Sequence, residues 1–242
     1  MRIRPSIALF LALLSACASA GPRRGGDDGA YDVVIAGGRI VDGAGNPWFY
    51  GDVGIRGDRI ARIAPRGAHA NAIAQRRIDA SGLVVAPGFI DIQSHSRGAF
   101  LTGDNRVVSK VTQGVTTEIL GEGTTNAPVN DLTLTGADSG WRELHEPFRG
   151  ARGFDAWLRA IEARGASTNF GSFVGASTIR MYGKGMADGA ATRAELDTMR
   201  AAMTRAMEDG AFGLASALIY PPGVFASADV LVKECPVFVP NI

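Results

Sequence analysis

The side chains best suited to hold a metal ion stand at Asp91, Gln93 and His95, where an apolar stretch, Leu83-Val84-Val85-Ala86-Pro87-Gly88-Phe89-Ile90, gives way to polar residues. Carboxylate and imidazole are good ligands for a divalent cation, whereas an amide is weak and neutral. Read as one buried strand over 84–92, the stretch puts the three polar groups at period two and therefore on one face. The carboxyl ends of such strands are where α/β enzymes place chemistry. Alone, His95 would more often be a hydrogen-bonded structural histidine than a ligand, and its phase with Asp91 brings the two readings level. Asp91 reads as a supporting group that orients His95 or a neighbouring loop. His69, in an Ala-rich connection, and His145, in a polar stretch between Trp141 and Phe148, read as surface histidines.

The elements that must position these groups change character along the chain. Residues 31–80 read as short strands with tight turns, a small antiparallel β unit, and Gly37-Gly38 as a hairpin turn because no phosphate-loop pattern follows it. From 83 onward strands alternate with helices, and glycines follow the helices as left-handed caps, which implies a parallel sheet. The predicted order is a strand at 84–92, a helix at 105–113, a strand at 115–120, a helix carrying Phe154, Trp157, Leu158 and Ile161, and a strand at 169–174. A helix opened by the Thr192/Glu195 capping pattern and a fourth strand at 212–219 complete it. Met199, Met203 and Met207 fall at helical spacing and read as core against the sheet, not as a cofactor box.

Composition narrows the class. With 242 residues, 46% hydrophobic and 20% charged, the chain suits one large domain or two unequal ones. Arg2 and Arg4 before an apolar run at 7–14 and small residues at 15–20 form an export signal, too short to span a bilayer as a helix. Two cleavage patterns compete there, Ala18-Ser19-Ala20 and the lipobox Leu14-Ser15-Ala16-Cys17; the lipobox is preferred because its Cys directly follows the apolar run. Cleavage before Cys17 takes away Arg2 and Arg4, turning a net charge of +1 into about −1, and nothing points to nucleic acid. Cys235 has only Cys17 as an intrachain partner, so no structural disulfide is expected. Residues 1–20 are read as the signal, 21–30 as a flexible linker, 31–82 as the β unit and 83–242 as the α/β part.

The small β unit followed by Pro87-Gly88-Phe89-Ile90-Asp91-x-Gln93-x-His95 resembles the amidohydrolase superfamily. Gln113-Gly114-Val115-Thr116-Thr117 with Gly121-Glu122-Gly123, and Gly210-Ala211-Phe212-Gly213-Leu214 with Tyr220-Pro221-Pro222-Gly223, resemble its D-aminoacylase branch, the N-acyl-D-amino-acid deacylases. The resemblance runs in order from about residue 31 to about 228. It implies an α/β fold: the first half of a (β/α)8 TIM-type barrel preceded by a small antiparallel β-sandwich segment. It also implies hydrolysis of the linear amide of a small N-acyl amino acid, with Zn²⁺ as Lewis acid and activator of water. His95 and Glu122 are then metal ligands, Glu122 standing where the family often has Cys. Gln93 replaces the usual first histidine of the pair and is a weak ligand at best, which implies one ion. Tyr220 matches a position that helps hold the substrate carboxylate, and Ala176 replaces a histidine common after the third strand.

The family barrel has eight βα units, and about four are legible here. Two further metal histidines and the proton-shuttling aspartate are expected beyond residue 242. The ending, with Pro236 and Pro240 and no helical period, reads as a truncation or frame shift near 233–236, so the chain is expected to be an incomplete and inactive fragment. Two other readings stand beside this one: a cyclic-amide hydrolase of hydantoinase or dihydroorotase type, and a non-catalytic envelope lipoprotein. The export signal places the protein in the periplasm or lipid-anchored in the bacterial envelope, touching membrane only through that anchor.

Overall fold

The computed structural model describes residues 30–150 and 152–226. The export signal, all of the linker but Ala30, Cys17, Cys235 and the proline-containing ending lie outside the described residues. The chain divides into two units after Pro87.

The first unit is one sheet of five strands: β1 (Tyr31–Ile40), β2 (Phe49–Arg56), β3 (Arg59–Pro65), β4 (Ala74–Asp79) and β5 (Val84–Val85). Their order is β3-β2-β1-β4, with β5 also alongside β1. The antiparallel expectation holds for β1 with β2 and β2 with β3, but β4 and β5 both run parallel to β1, so the sheet is mixed. The connection after β3 brings the chain back across the sheet before β4 begins, and a strand entered from that end can only pair parallel. Gly37-Gly38 is likewise no hairpin. β1 runs through the pair with a bulge in its register against β2, and the Gly37 N–H, at φ +74°, donates to the buried carboxylate of Asp52 at 2.8 Å. The other oxygen of Asp52 accepts the His69 N–H at 3.1 Å, and His69 Nε2 lies 3.1 Å from the Tyr31 hydroxyl. His69 is thus buried, not at the surface, because the returning connection packs it on Tyr31.

The second unit alternates strands and helices. It contains β6 (Phe89–Asp91), α1 (Arg97–Thr102), α2 (Val108–Val111), β7 (Val115–Leu120), α3 (Ser139–His145), α4 (Gly153–Arg164), β8 (Asn169–Ser172), β9 (Val174–Gly175), α5 (Ala176–Lys184), α6 (Arg193–Glu208) and β10 (Leu214–Ala215). β6, β7 and β8 form a parallel sheet in that order, and β9 pairs parallel with β10. The mixed α/β class and the parallel alternation are as the sequence implies.

Several boundaries differ from expectation for local reasons. The strand read over 84–92 is two strands in two sheets, β5 and β6, divided at Pro87, whose missing N–H cannot serve a central ladder. β6 is an edge strand with only β7 beside it, so Phe89 and Ile90 are exposed among the described residues, not buried. The helix read over 105–113 shrinks to α2, since Asn105 and Val107 have positive φ of 62° and 35° and cannot be helical. The strand read over 212–219 is only β10, preceded by Gly213 at φ 149° and followed by a turn. α5 escaped periodicity because its buried face carries Ser177, Thr178 and Arg180.

The core confirms the two long helices. Phe154, Trp157 and Ile161 of α4 and Met199, Met203 and Ala206 of α6 are buried with Leu120 of β7 and Ile179 of α5. Burying each large apolar side chain contributes about 1.5–3 kcal/mol. The start of α6 carries the full capping box: the Thr192 hydroxyl accepts the Glu195 N–H, and the Glu195 carboxylate accepts the Thr192 N–H at 2.6 Å.

Candidate metal centre

β6 and β7 run side by side, with Asp91 opposite Glu118. Beyond Asp91 the backbone leaves the strand. The Gln93 N–H turns back onto the Asp91 carboxylate at 3.1 Å, so period two ends at Asp91 and the three polar groups do not share a strand face. The chain is then recaptured by β7, where the Ser94 N–H donates to the Ile119 carbonyl at 2.9 Å. That bond delivers His95 to the carboxyl end of the sheet, just before α1 begins.

Glu122 arrives from the end of β7. Gly121, at φ +96°, turns the chain there, and a Cβ at this position would lie 2.1 Å from the Phe173 carbonyl oxygen, so only glycine fits. The segment is pinned onto the start of α5: the Ser177 N–H donates to the Gly123 carbonyl at 2.9 Å, and the Thr125 N–H donates to the Thr178 hydroxyl at 2.8 Å. The outcome is that His95 Nε2 and Glu122 Oε2 lie 3.2 Å apart, with the imidazole 72% and the carboxylate 32% exposed.

That pair fits a zinc ion. Nitrogen and oxygen ligands each about 2.0–2.2 Å from a tetrahedral ion stand about 3.3 Å apart, and one imidazole with one carboxylate is a donor set zinc accepts. The pair offers two donors and no more, because the described residues hold no group of three or more His, Cys, Asp or Glu placed to share an ion.

The other expected residues sit differently. Asp91 is engaged by the Lys110 ammonium, not by His95, and that bond holds its carboxyl below the ordinary value of 3.8. Gln93 is exposed, and Tyr220 stands 63% exposed in the turn before Pro221-Pro222. Among the described residues no hydrogen bond joins the side chain of Gln93 or Tyr220 to His95 or Glu122.

Two residues that the sequence reading passed over, Glu118 and Arg97, and one that it placed at the surface, His145, are withdrawn from solvent in the second unit. Glu118, fully buried in β7, accepts the hydroxyls of Ser94 and Ser96 on one oxygen and that of Thr168 on the other at 2.9 Å. A lone acid inside Val-Thr-Thr-Glu-Ile-Leu was the available signal. Arg97 opens α1 with a guanidinium drawn below its usual pKa by burial, and its Nη1 has no partner among the described residues. His145, expected at the surface, is buried, because α3 folds its ring onto Trp141 at 3.9 Å between centroids. Its Nδ1 lies 2.7 Å from the Trp141 carbonyl and must carry the proton, which leaves Nε2 to accept from Asn126 Nδ2 at 3.1 Å. Desolvation, with the Arg97 charge adding to it, lowers the His145 pKa below 6.5.

No protein-family model matches the chain. It is 36% identical over 214 residues to D-aminoacylase of Alcaligenes xylosoxydans xylosoxydans, a match that covers 86% of this chain and 42% of that protein. A solved D-aminoacylase, described with a binuclear metal centre, one-metal activation and second-metal attenuation, superposes with a TM-score of 0.71 at 34% identity, covering 85% of this chain and 42% of that one. N-acyl-D-glutamate deacylase of Bordetella bronchiseptica, complexed with zinc and a phosphonate inhibitor, superposes equally well, with a TM-score of 0.71 at 32% identity over 86% of this chain and 43% of that one. The fold is shared with these structures, and the D-aminoacylase structure is described as defining a subset of amidohydrolases. The relatives and structural neighbours that the chain resembles over most of its own length are D-aminoacylases and N-acyl-D-amino-acid deacylases. The chain spans about two fifths of the length of these relatives.

Proposed function

We propose that this protein serves as a zinc-dependent N-acyl-D-amino-acid deacylase, cleaving the linear amide of a small N-acyl amino acid, with its second unit forming the opening half of a (β/α)8 barrel. The observation that carries the reading is the 3.2 Å approach of His95 to Glu122 at the carboxyl ends of adjacent parallel strands. Zinc, when bound, supplies Lewis acidity toward the amide carbonyl. His95 and Glu122 hold the ion. The Asp91–Lys110 pair anchors the start of the loop that carries His95, and Tyr220 offers a phenol to the substrate carboxylate. Gln93 adds no strong ligand, which favours a single ion. The relative described as activated by one metal supports that count. A catalytic zinc normally takes three protein ligands, so the third, and the aspartate that moves the proton, are expected from barrel segments beyond the matched region. Export and a lipid anchor on Cys17 belong to the same proposal; labelling with a radioactive fatty acid that Cys17→Ser abolishes would support them, and labelling that survives it would not.

The test is turnover on N-acyl-D-amino acids, their L-isomers and hydantoins. It uses the 242-residue chain and the same chain joined to the D-aminoacylase segments that follow the matched region. Zinc-dependent, D-selective amide hydrolysis by the joined protein, with none by the chain alone, is expected. Hydrolysis of hydantoins only would replace this reading with a cyclic-amide hydrolase. A second reading, a non-catalytic envelope lipoprotein, is favoured by Gln93 and by a donor set that stops at two among the described residues. It predicts no turnover from either form.

A further inference from the structure

We infer that Glu118 is a positioning residue for His95: a buried carboxylate that fixes the loop between β6 and α1 so that the imidazole meets Glu122. The inference rests on the proposed metal role of that pair for its functional meaning, though its geometry stands apart from it.

Glu118 is fully buried in β7, opposite Asp91. A carboxylate there has lost its water, and such a group persists only where donors replace it. Its donors are all hydroxyls, and two come from the residues that flank His95. Ser94 and Ser96 both donate to Oε2, while Thr168, at the start of the segment leading into β8, donates to Oε1 at 2.9 Å. The Ser96 N–H closes the loop on itself by donating to Ser94 Oγ at 3.1 Å, and the Ser94 N–H reaches the Ile119 carbonyl at 2.9 Å.

His95 itself is largely exposed and is offered no hydrogen-bond partner other than Glu122 among the described residues. An exposed imidazole on a loop has its rotamer freedom to lose whenever it is fixed. Anchoring the residue on each side to one buried oxygen removes the backbone part of that freedom in advance. Groups that orient a ligand without touching the metal affect affinity by about 10–100-fold.

The experiment separates this role from simple support of the fold. Thr168 uses the same carboxylate but lies off the His95 loop, so Thr168→Val is the control for Ser94→Ala/Ser96→Ala. Two readouts are taken: on the 242-residue chain, the NMR order parameter of the His95 ring, with labelled histidine and His95→Ala for assignment, and, on the same chain joined to the D-aminoacylase segments that follow the matched region, zinc affinity by competition with a chromophoric chelator. The double variant is expected to lower the His95 order parameter and weaken zinc about tenfold. Thr168→Val should leave both unchanged while lowering Tm to a similar degree, and the single variant Ser96→Thr, which keeps the hydroxyl, should leave both as in the parent. Equal effects from Thr168→Val, in step with Tm, would overturn the inference, as would a double variant whose His95 ring stays as ordered as in the parent. Should the parent and His95→Ala bind zinc alike, the metal reading fails, and the order parameter still decides the role of Glu118.

Discussion

His95 Nε2 lies 3.2 Å from Glu122 Oε2 although the two residues stand on segments that leave different strands. Two backbone features bring them together: the recapture of Ser94 by Ile119 and the left-handed turn at Gly121. The pair is therefore a product of the parallel β6–β7 register, and its disruption should be reachable from either side.

Gly121→Ala tests the Glu122 side. The added methyl meets the Phe173 carbonyl oxygen at 2.1 Å on a backbone already at φ +96°, so a loss on the order of 2–4 kcal/mol of stability is expected from clash and strain together. Urea unfolding measures it. A loss under about 0.5 kcal/mol, the range of an ordinary surface change, would show that the turn is not constrained as described.

Asp91 and Lys110 govern behaviour in acid. A carboxyl held below its ordinary value adds stability that is present above the unfolded-state pKa and disappears as pH falls through the folded one. Lys110→Met should raise the Asp91 pKa toward the ordinary value of 3.8 and shrink the difference in unfolding midpoint between neutral and strongly acidic solution. An unchanged Asp91 titration, followed by carboxyl-carbon NMR, would refute the pairing.

His145 acts in a higher pH window. Its folded pKa is depressed below 6.5 by burial, so the unfolded chain takes up the proton first. The contribution is complete above 6.5 and declines as pH falls from there toward the lowered folded value. His145→Gln should flatten that part of the stability profile relative to the parent. A parallel offset across the whole range would mean that the ring does not titrate differently in the two states.

Much of the fold was legible because it rests on periodicity and caps. α4 and α6 announce themselves through apolar spacing, through Thr192 with Glu195, and through the glycines that end them. Glu122 and His95 were candidates by resemblance, and their meeting was not legible, since it depends on register between β6 and β7. Where the reading failed, the deciding contact was distant in sequence. His69 is buried by Tyr31 and Asp52, β4 runs parallel to β1 because of how its connection returns, and Glu118 is explained only by Ser94, Ser96 and Thr168. Asp91 kept its place on β6, but Lys110 claimed its side chain.

The most direct measurement is zinc affinity of the 242-residue chain joined to the D-aminoacylase segments that follow the matched region, beside the same protein carrying His95→Ala or Glu122→Ala. Removing a direct ligand should cost more than removing a group that only orients one, so each variant is expected to bind zinc at least about 100-fold more weakly, with both folds intact by circular dichroism. Zinc bound equally well by parent and variants, or by none of them, would contradict the assignment of these two residues as metal ligands.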